Sequence, residues 1–257
     1  MPRPSRAFGG ACPPVPSASG DKSRVVRAVQ RLGSFPTIYS ALRTTMGGDR
    51  YWRHLVEDVA AVRPGMRILD VGCGPAGVTD HLPDVVYVGV DHNARYIRQA
   101  RLRCDPAYTF VHAEATEVGA LDGQFDVVWA MGVLHHLSDR DARAMIEGAR
   151  QRLAPGGMLL TADVVAVPEA SRSARWMLER DRGDHVRPPA GYAALLGTAF
   201  EDVRLTVEHD LLRVPFTGAG YPLLVACAAQ ARRVVDPVRV ERQDDAPQPV
   251  RAPSYAG

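Results

Sequence analysis

The sequence predicts an α/β protein, a mostly parallel sheet covered by helices on both faces. Three observations carry that expectation. Near-continuous apolar runs recur at 68–71, 85–90, 108–112, 125–130 and 158–165, without the alternation of a half-exposed strand. Segments of helical period separate several of them. The first run ends in a glycine turn, Gly72-Cys73-Gly74-Pro75-Ala76-Gly77, the arrangement by which such folds present backbone N–H groups to a ligand.

Taken in order, residues 1–21 are rich in Pro, Ser, Gly and Ala and are expected to be a disordered tail. Residues 22–64 are expected to form a helical cap. Val25, Val26, Val29 and Leu32 recur at helical spacing, as do Trp52, Leu55, Val56, Val59 and Val62. Ser34-Phe35-Pro36 and Gly47-Gly48 interrupt this cap, and Pro64-Gly65 launches the first strand. Residues 65–232 make up the predicted domain. After the glycine turn, Val78, Thr79, His81 and Leu82 read as the start of a helix. The strand at 85–90 ends at Asp91, and a helix over 93–103 follows. Strands at 108–112 and 125–130 come next. Residues 139–153 place Ala142, Met145, Ile146, Ala149 and Leu153 on one helix face, with Ser138 as N-cap. Pro155-Gly156-Gly157 reads as a turn into the strand at 158–165. The polar, arginine-rich stretch 167–200 reads as an insertion on the substrate side, with a helix around 192–196. Runs at 203–212 and 223–229 are joined by a connection too short for a helical crossover, which predicts an antiparallel pair at the sheet edge. Residues 233–257 lack periodicity and are expected to be a second disordered tail.

Composition narrows the partners. With 46% apolar and 23% charged residues the chain is of ordinary globular type, and a net charge of +2 gives no broad basic field for nucleic acid. Cys12, Cys73, Cys104 and Cys227 are scattered, so neither a disulfide framework nor a metal site is expected, and a cytoplasmic setting is. The N-terminus lacks the apolar region of a signal peptide, and no run reaches the roughly 20 residues that cross a bilayer.

The chemistry gathers around the glycine turn. Gly72, Gly74 and Gly77 fit a dinucleotide fingerprint. Asp70 lies two positions before Gly72, where a carboxylate would repel a pyrophosphate but suits an ammonium or sulfonium charge. Asp91, 19 positions after Gly72, can accept hydrogen bonds from both ribose hydroxyls. The ribose reading serves NAD and S-adenosylmethionine equally, and Asp70 favours the second.

On these residues the sequence resembles a class I S-adenosylmethionine-dependent methyltransferase of the small-molecule type. Ile68-Leu69-Asp70-Val71-Gly72-Cys73-Gly74-Pro75-Ala76-Gly77 is similar to the family's first motif and Val88-Gly89-Val90-Asp91 to its second. Val111-His112-Ala113-Glu114-Ala115 stands where the family usually has Gly-Asp-Ala. The run from Phe125 to Leu137, ending Ala130-Met131-Gly132-Val133-Leu134-His135-His136-Leu137, is similar to the fourth motif, and Leu153-Ala154-Pro155-Gly156-Gly157 to the turn before the fifth strand. Two departures stand out: Ala76 occupies a position that is often glycine, and Glu114 replaces the usual aspartate.

The resemblance implies a Rossmann-like, seven-stranded, mostly parallel sheet with S-adenosyl-L-methionine as cofactor. Position by position, it implies that Gly72, Cys73 and Gly74 pack against the methionine part and ribose, and that Asp70 lies near the methionine ammonium. Asp91 would hold the ribose, His92 would lie against the adenine, and Glu114 and Ala115 would read its edge. Ala130 and Met131 would bring main chain beside the sulfonium. A general base is needed only for an acceptor that must lose a proton. His135, His136 and His185 are the histidine choices, with His135 ranked first, and Asp163 of the fifth strand is a further candidate. Substrate walls are expected from Tyr39 and Trp52 of the cap, from Asp163, and from Asp181 and Arg182 of the insertion. The expected activity is transfer of a methyl group to oxygen, nitrogen or carbon of a small molecule, in the setting of secondary metabolism, by a monomer or homodimer. The alternative is a cyclase or isomerase of the same fold that binds the cofactor without methyl transfer. A nucleic-acid methyltransferase is disfavoured, because the fourth strand lacks an Asn/Asp-Pro-Pro-Tyr/Phe motif.

Overall fold

The computed structural model describes residues 48–179, 183–213 and 217–229. Seven strands form one sheet in the order β3-β2-β1-β4-β5-β7-β6. They are β1 (Arg67–Val71), β2 (Val86–Asp91), β3 (Thr109–His112), β4 (Phe125–Met131), β5 (Leu153–Val164), β6 (Asp202–Arg213) and β7 (Gly220–Ala229). The first five run parallel, and β7 pairs antiparallel with both β5 and β6. The expected antiparallel pair therefore stands at this end of the sheet, with β7 on its inner side.

Continuous apolar strands follow from burial on both faces. Along β1, Ile68 enters one core and Leu69 and Val71 the other; along β4, Val127 and Trp129 enter the first, and Val128 and Ala130 the second. Helix α1 (Gly48–Arg53), a π-helical stretch continuing it (His54–Val59) and α2 (Ala94–Arg103) cover the first face, with Tyr51, Trp52, Leu55, Val56, Ile97 and Ala100 buried. On the second face α3 (Asp139–Arg152) contributes Ala142, Met145, Ile146 and Ala149. Helix α5 (Pro189–Leu196) contributes Tyr192, Leu195 and Leu196. Helix α4 (Arg172–Leu178) precedes it, capped by Ser171, whose Oγ accepts from Ala174 N at 3.1 Å. Asn93 and Ser138 cap α2 and α3 in the same way.

Two local expectations are corrected. The helix expected after the glycine turn is one short 3₁₀ turn, Gly77–His81. Pro83 explains the stop, because it disfavours helical backbone at the preceding residue, and Leu82 is extended with ψ 141°. Pro155-Gly156-Gly157 is not a separate turn but lies within β5, where the register slips between the Phe125–Leu153 and Val127–Met158 pairs and Gly156 adopts φ +81°.

Strand order reverses between β1 and β4. Such a switch point leaves a crevice outside the carboxyl ends of the strands. Asp70, Asp91, Met131 and Asp163 all lie at or within two residues of those ends.

Candidate active site

The glycine loop is shaped by both of its neighbours. The N–H groups of Gly72 and Cys73 both donate to Val90 O, at 2.7 and 2.9 Å, which folds the chain back over the end of β2. Gly72 has φ +71°, and a Cβ there would come within 2.6 Å of Val133 Cγ2. Glycine is required on both counts. At Gly74, with φ +57°, a Cβ would meet no heavy atom within 4 Å, so room is left beside the loop. Ala76 takes φ +55°, a left-handed backbone that explains why a glycine often stands there.

Two buried carboxylates flank this loop. Asp91, 6% exposed, accepts from Gly74 N at 2.8 Å through Oδ2 and from Asn93 N at 2.7 Å through Oδ1. One of the carboxylate's four lone-pair positions thus holds the loop and one the start of α2, and two can serve a diol. Asp70, 3% exposed, accepts from Tyr87 Oη–H at 2.5 Å. The pairing follows from register: Ile68 lies beside Tyr87 and Asp70 beside Gly89, so all four positions share one face. Gly89 has no side chain, and a Cβ there would strike Cys73 Sγ at 2.9 Å and Phe110 Cδ1 at 3.0 Å. Burial first, then the Asp70 charge, pushes the Tyr87 hydroxyl well above its ordinary range, so Tyr87 remains a donor. Burial, reinforced by Asp70 and Asp91, likewise pushes the Cys73 thiol up. Cys73 is a packing residue, not a nucleophile.

Sequence reasoning missed Arg103, in the last turn of α2. Its guanidinium donates to the Pro75, Ala76 and Thr79 oxygens and forks onto both Asp80 oxygens at 2.8 Å. The contacts span 23 to 28 residues, so no local pattern announces them.

The remaining predicted cofactor residues line up at the strand ends. His92 is exposed beside Asp91, its Nδ1 3.7 Å from Oδ1, and its carbonyl meets His112 Nε2 at 2.9 Å. Glu114 is exposed, and Glu117 Oε2 accepts from its N–H at 2.9 Å, opening the 3₁₀ helix Ala115–Ala120. Ala130 is buried and Met131 half-buried at the end of β4.

A second cluster forms where β4 and β5 end. Asp163 is fully buried, and its Oδ1 accepts from His135 N at 3.1 Å and meets His135 Nδ1 at 2.8 Å. Asp163 Oδ1 also takes a backbone N–H, so it acts as acceptor toward the imidazole, and Nδ1 is the donor of the pair. Asp163 Oδ2 has no hydrogen-bond partner among the described residues. His136 is exposed, with its ring 4.1 Å from that of His135. His185 is exposed too, and its N–H donates to His135 O at 2.9 Å. The three histidines named from sequence thus meet at one turn. Trp52 instead lies buried in the first core beside Gly77, whose Cβ position is 3.9 Å from Trp52 Nε1. Tyr39, Asp181 and Arg182 lie outside the described residues. No cluster suited to a metal ion occurs among the described residues. A groove of about 460 Å³ near His54, Met158 and Arg204 lies toward the amino ends of β5 and β6, and none of the described site residues lines it.

Comparison with known proteins agrees with this geometry. Residues 68–157 match the family model described as a methyltransferase domain. The chain is 36% identical over 115 residues to 27-O-demethylrifamycin SV methyltransferase of Amycolatopsis mediterranei (strain S699), covering 42% of each chain. It is 30% identical over 162 residues to ubiquinone biosynthesis O-methyltransferase of Chelativorans sp. (strain BNC1), covering 57% of this chain and 62% of that one. The chain thus spans less than two thirds of the length of either relative. In fold it is similar to Haemonchus contortus phosphoethanolamine N-methyltransferase 2, solved in complex with S-adenosyl-L-methionine. There the TM-score is 0.60 at 15% identity, over 82% of this chain and 61% of that one.

Proposed function

We propose that this chain, whose residues 68–157 belong to the class I S-adenosylmethionine-dependent methyltransferases, methylates a hydroxyl of a small molecule. The observation that carries the acceptor chemistry is the buried His135–Asp163 pair at 2.8 Å. An imidazole so oriented serves an acceptor that must give up a proton, and the two relatives named for O-methylation are consistent with a hydroxyl.

The residues present fit the cofactor. The open space beside Gly74 admits close main-chain contact, buried Asp70 suits a cation, and Asp91 keeps acceptor capacity for a ribose diol. When bound, S-adenosyl-L-methionine supplies an electrophilic methyl group on a positively charged sulfur. Asp70 would face the methionine ammonium, Asp91 the ribose, and His92, Glu114 and Ala115 the adenine side. Ala130 and Met131 would close the site beside the sulfur. Asp163 holds His135 Nδ1–H, so Nε2 can take the acceptor's proton as the oxygen attacks. His136 and His185 would line the entry. In this reading the protein aligns the nucleophile and excludes water.

Labelled S-adenosylmethionine, incubated with the chain and extract of the source organism, should give labelled product by mass spectrometry. His135→Asn should lower that labelling by about 10²–10⁴ fold, the usual scale for a positioned base, while leaving S-adenosylhomocysteine affinity unchanged. A substrate converted with no loss of cofactor would replace this reading with the cyclase or isomerase alternative.

A further inference from the structure

Arg187 lies in the polar, arginine-rich insertion after α4, yet it is only 8% exposed. Its backbone is tied to the end of β5: Arg187 forms a parallel bridge with Val165, two residues beyond Asp163, and Ala166 N donates to Arg187 O at 3.2 Å. Its side chain reaches across to the turn that bears His135. Nη1 donates to Leu134 O at 2.7 Å and to His185 O at 2.9 Å. Nη2 donates to Leu137 O at 2.8 Å and to Asp139 Oδ1 at 2.7 Å, and Nε donates to the same Oδ1 at 3.0 Å. The carbonyls of Leu134 and Leu137 border the single 3₁₀ turn Leu134–His136, which is too short to hold itself in place. The guanidinium stands 5.9 Å from the Tyr192 ring centroid, and a Cβ at Gly191 would come within 3.1 Å of Arg187 Cβ. Helix α5 therefore leaves a slot for this side chain.

We infer that Arg187 is a positioning residue for the proton-accepting pair. Its main chain fixes the strand end that carries Asp163, its guanidinium fixes the turn that carries His135, and the 2.8 Å contact between them depends on it. The inference rests on the reading of His135 as the base only for its catalytic meaning; the geometric dependence stands apart from it. A planar fork is needed, because a lysine ammonium has three donors and cannot make these five hydrogen bonds to three carbonyls and a carboxylate. Asp139 completes the fork, and its hydrogen bond from Arg187 holds its carboxyl below the ordinary range.

The test uses the full chain labelled with ¹⁵N-histidine, with S-adenosylhomocysteine as the probe of folding. The His135 Nδ1 proton should give a downfield, slowly exchanging resonance that Asp163→Asn abolishes, which assigns it. Arg187→Met should broaden or remove that resonance and speed exchange of the His185 amide by about tenfold or more, as loss of charge-assisted hydrogen bonds implies. Arg187→Lys should shift the resonance and speed the same amide while S-adenosylhomocysteine still binds; this variant decides the matter if Arg187→Met does not fold. Asp139→Asn, which leaves the carbonyl contacts, should retain the resonance. A native resonance and native His185 exchange in a folded Arg187 variant would overturn the inference. Failure of the base reading shows separately, as undiminished labelling of product by His135→Asn.

Discussion

At Gly72 two independent constraints meet, a left-handed backbone and a wall only 2.6 Å from any added Cβ. Gly72→Ala is therefore expected to lower stability by about 2–5 kcal/mol, adding the strain of φ > 0 to overpacking against Val133. Val133→Ala in the same chain should recover the overpacking part and leave the backbone part, which urea melts of the two single variants and the double variant will separate. Ala76 shows the reverse balance. Ala76→Gly relieves φ +55° but exposes no new partner and deletes a fully buried methyl. The gain of about 1–2 kcal/mol is nearly offset by about 0.8 for the methyl and 0.4–1 for the freer unfolded chain. The alanine is thus tolerated at a position that is often glycine.

Among the elements, α2 matters less for its own helix than for the arginine at its end. Arg103→Met should weaken S-adenosylhomocysteine binding measured by calorimetry, since the loop carbonyls of Pro75 and Ala76 lose their donor. Arg103→Lys should restore only part of it, because an ammonium cannot also fork onto Asp80. The link between α3 and the 183–187 segment has a pH signature. The Arg187 hydrogen bond lowers the Asp139 carboxyl below its ordinary 3.8. The folded value is depressed, so this contribution is fully present above 3.8 and is lost as pH falls through the folded value. Urea midpoints followed downward from neutral pH should fall less over that acid window in Asp139→Asn than in the parent chain. The Asp139 side chain is 63% exposed, so the difference will be small.

For the whole molecule, a ligand that binds only the folded chain must stabilise it. S-adenosylhomocysteine at 100 times its dissociation constant should add about 2.7 kcal/mol, and NADH should add nothing measurable in the same thermal melt. An equal shift with NADH would return the glycine turn to the dinucleotide reading. The seven strands and the glycine turn were legible locally: inner strands buried on both faces read as apolar runs, the edge strand β6 alternates Val203, Leu205 and Val207 with exposed residues, and positive-φ turns select glycine. The short 3₁₀ turn after Gly77 was misread as a helix because apolar spacing outweighed the nearby Pro83. Strand order, and the place of β7 between β5 and β6, left no local trace.

The candidate site divides along the same line. Asp70, Gly72, Gly74 and Asp91 stand at strand ends and turns, so their placement follows from spacing along one strand-turn-strand unit. His135 and Asp163 are 28 residues apart, Arg187 and Leu134 are 53 apart, and Tyr87 reaches Asp70 only through the parallel register of β1 and β2. Backbone conformation and burial are written residue by residue and can be read from a chain. Which buried polar group satisfies which other is decided only when the sheet closes, since a carboxylate out of water takes whatever donor the register brings within 3 Å.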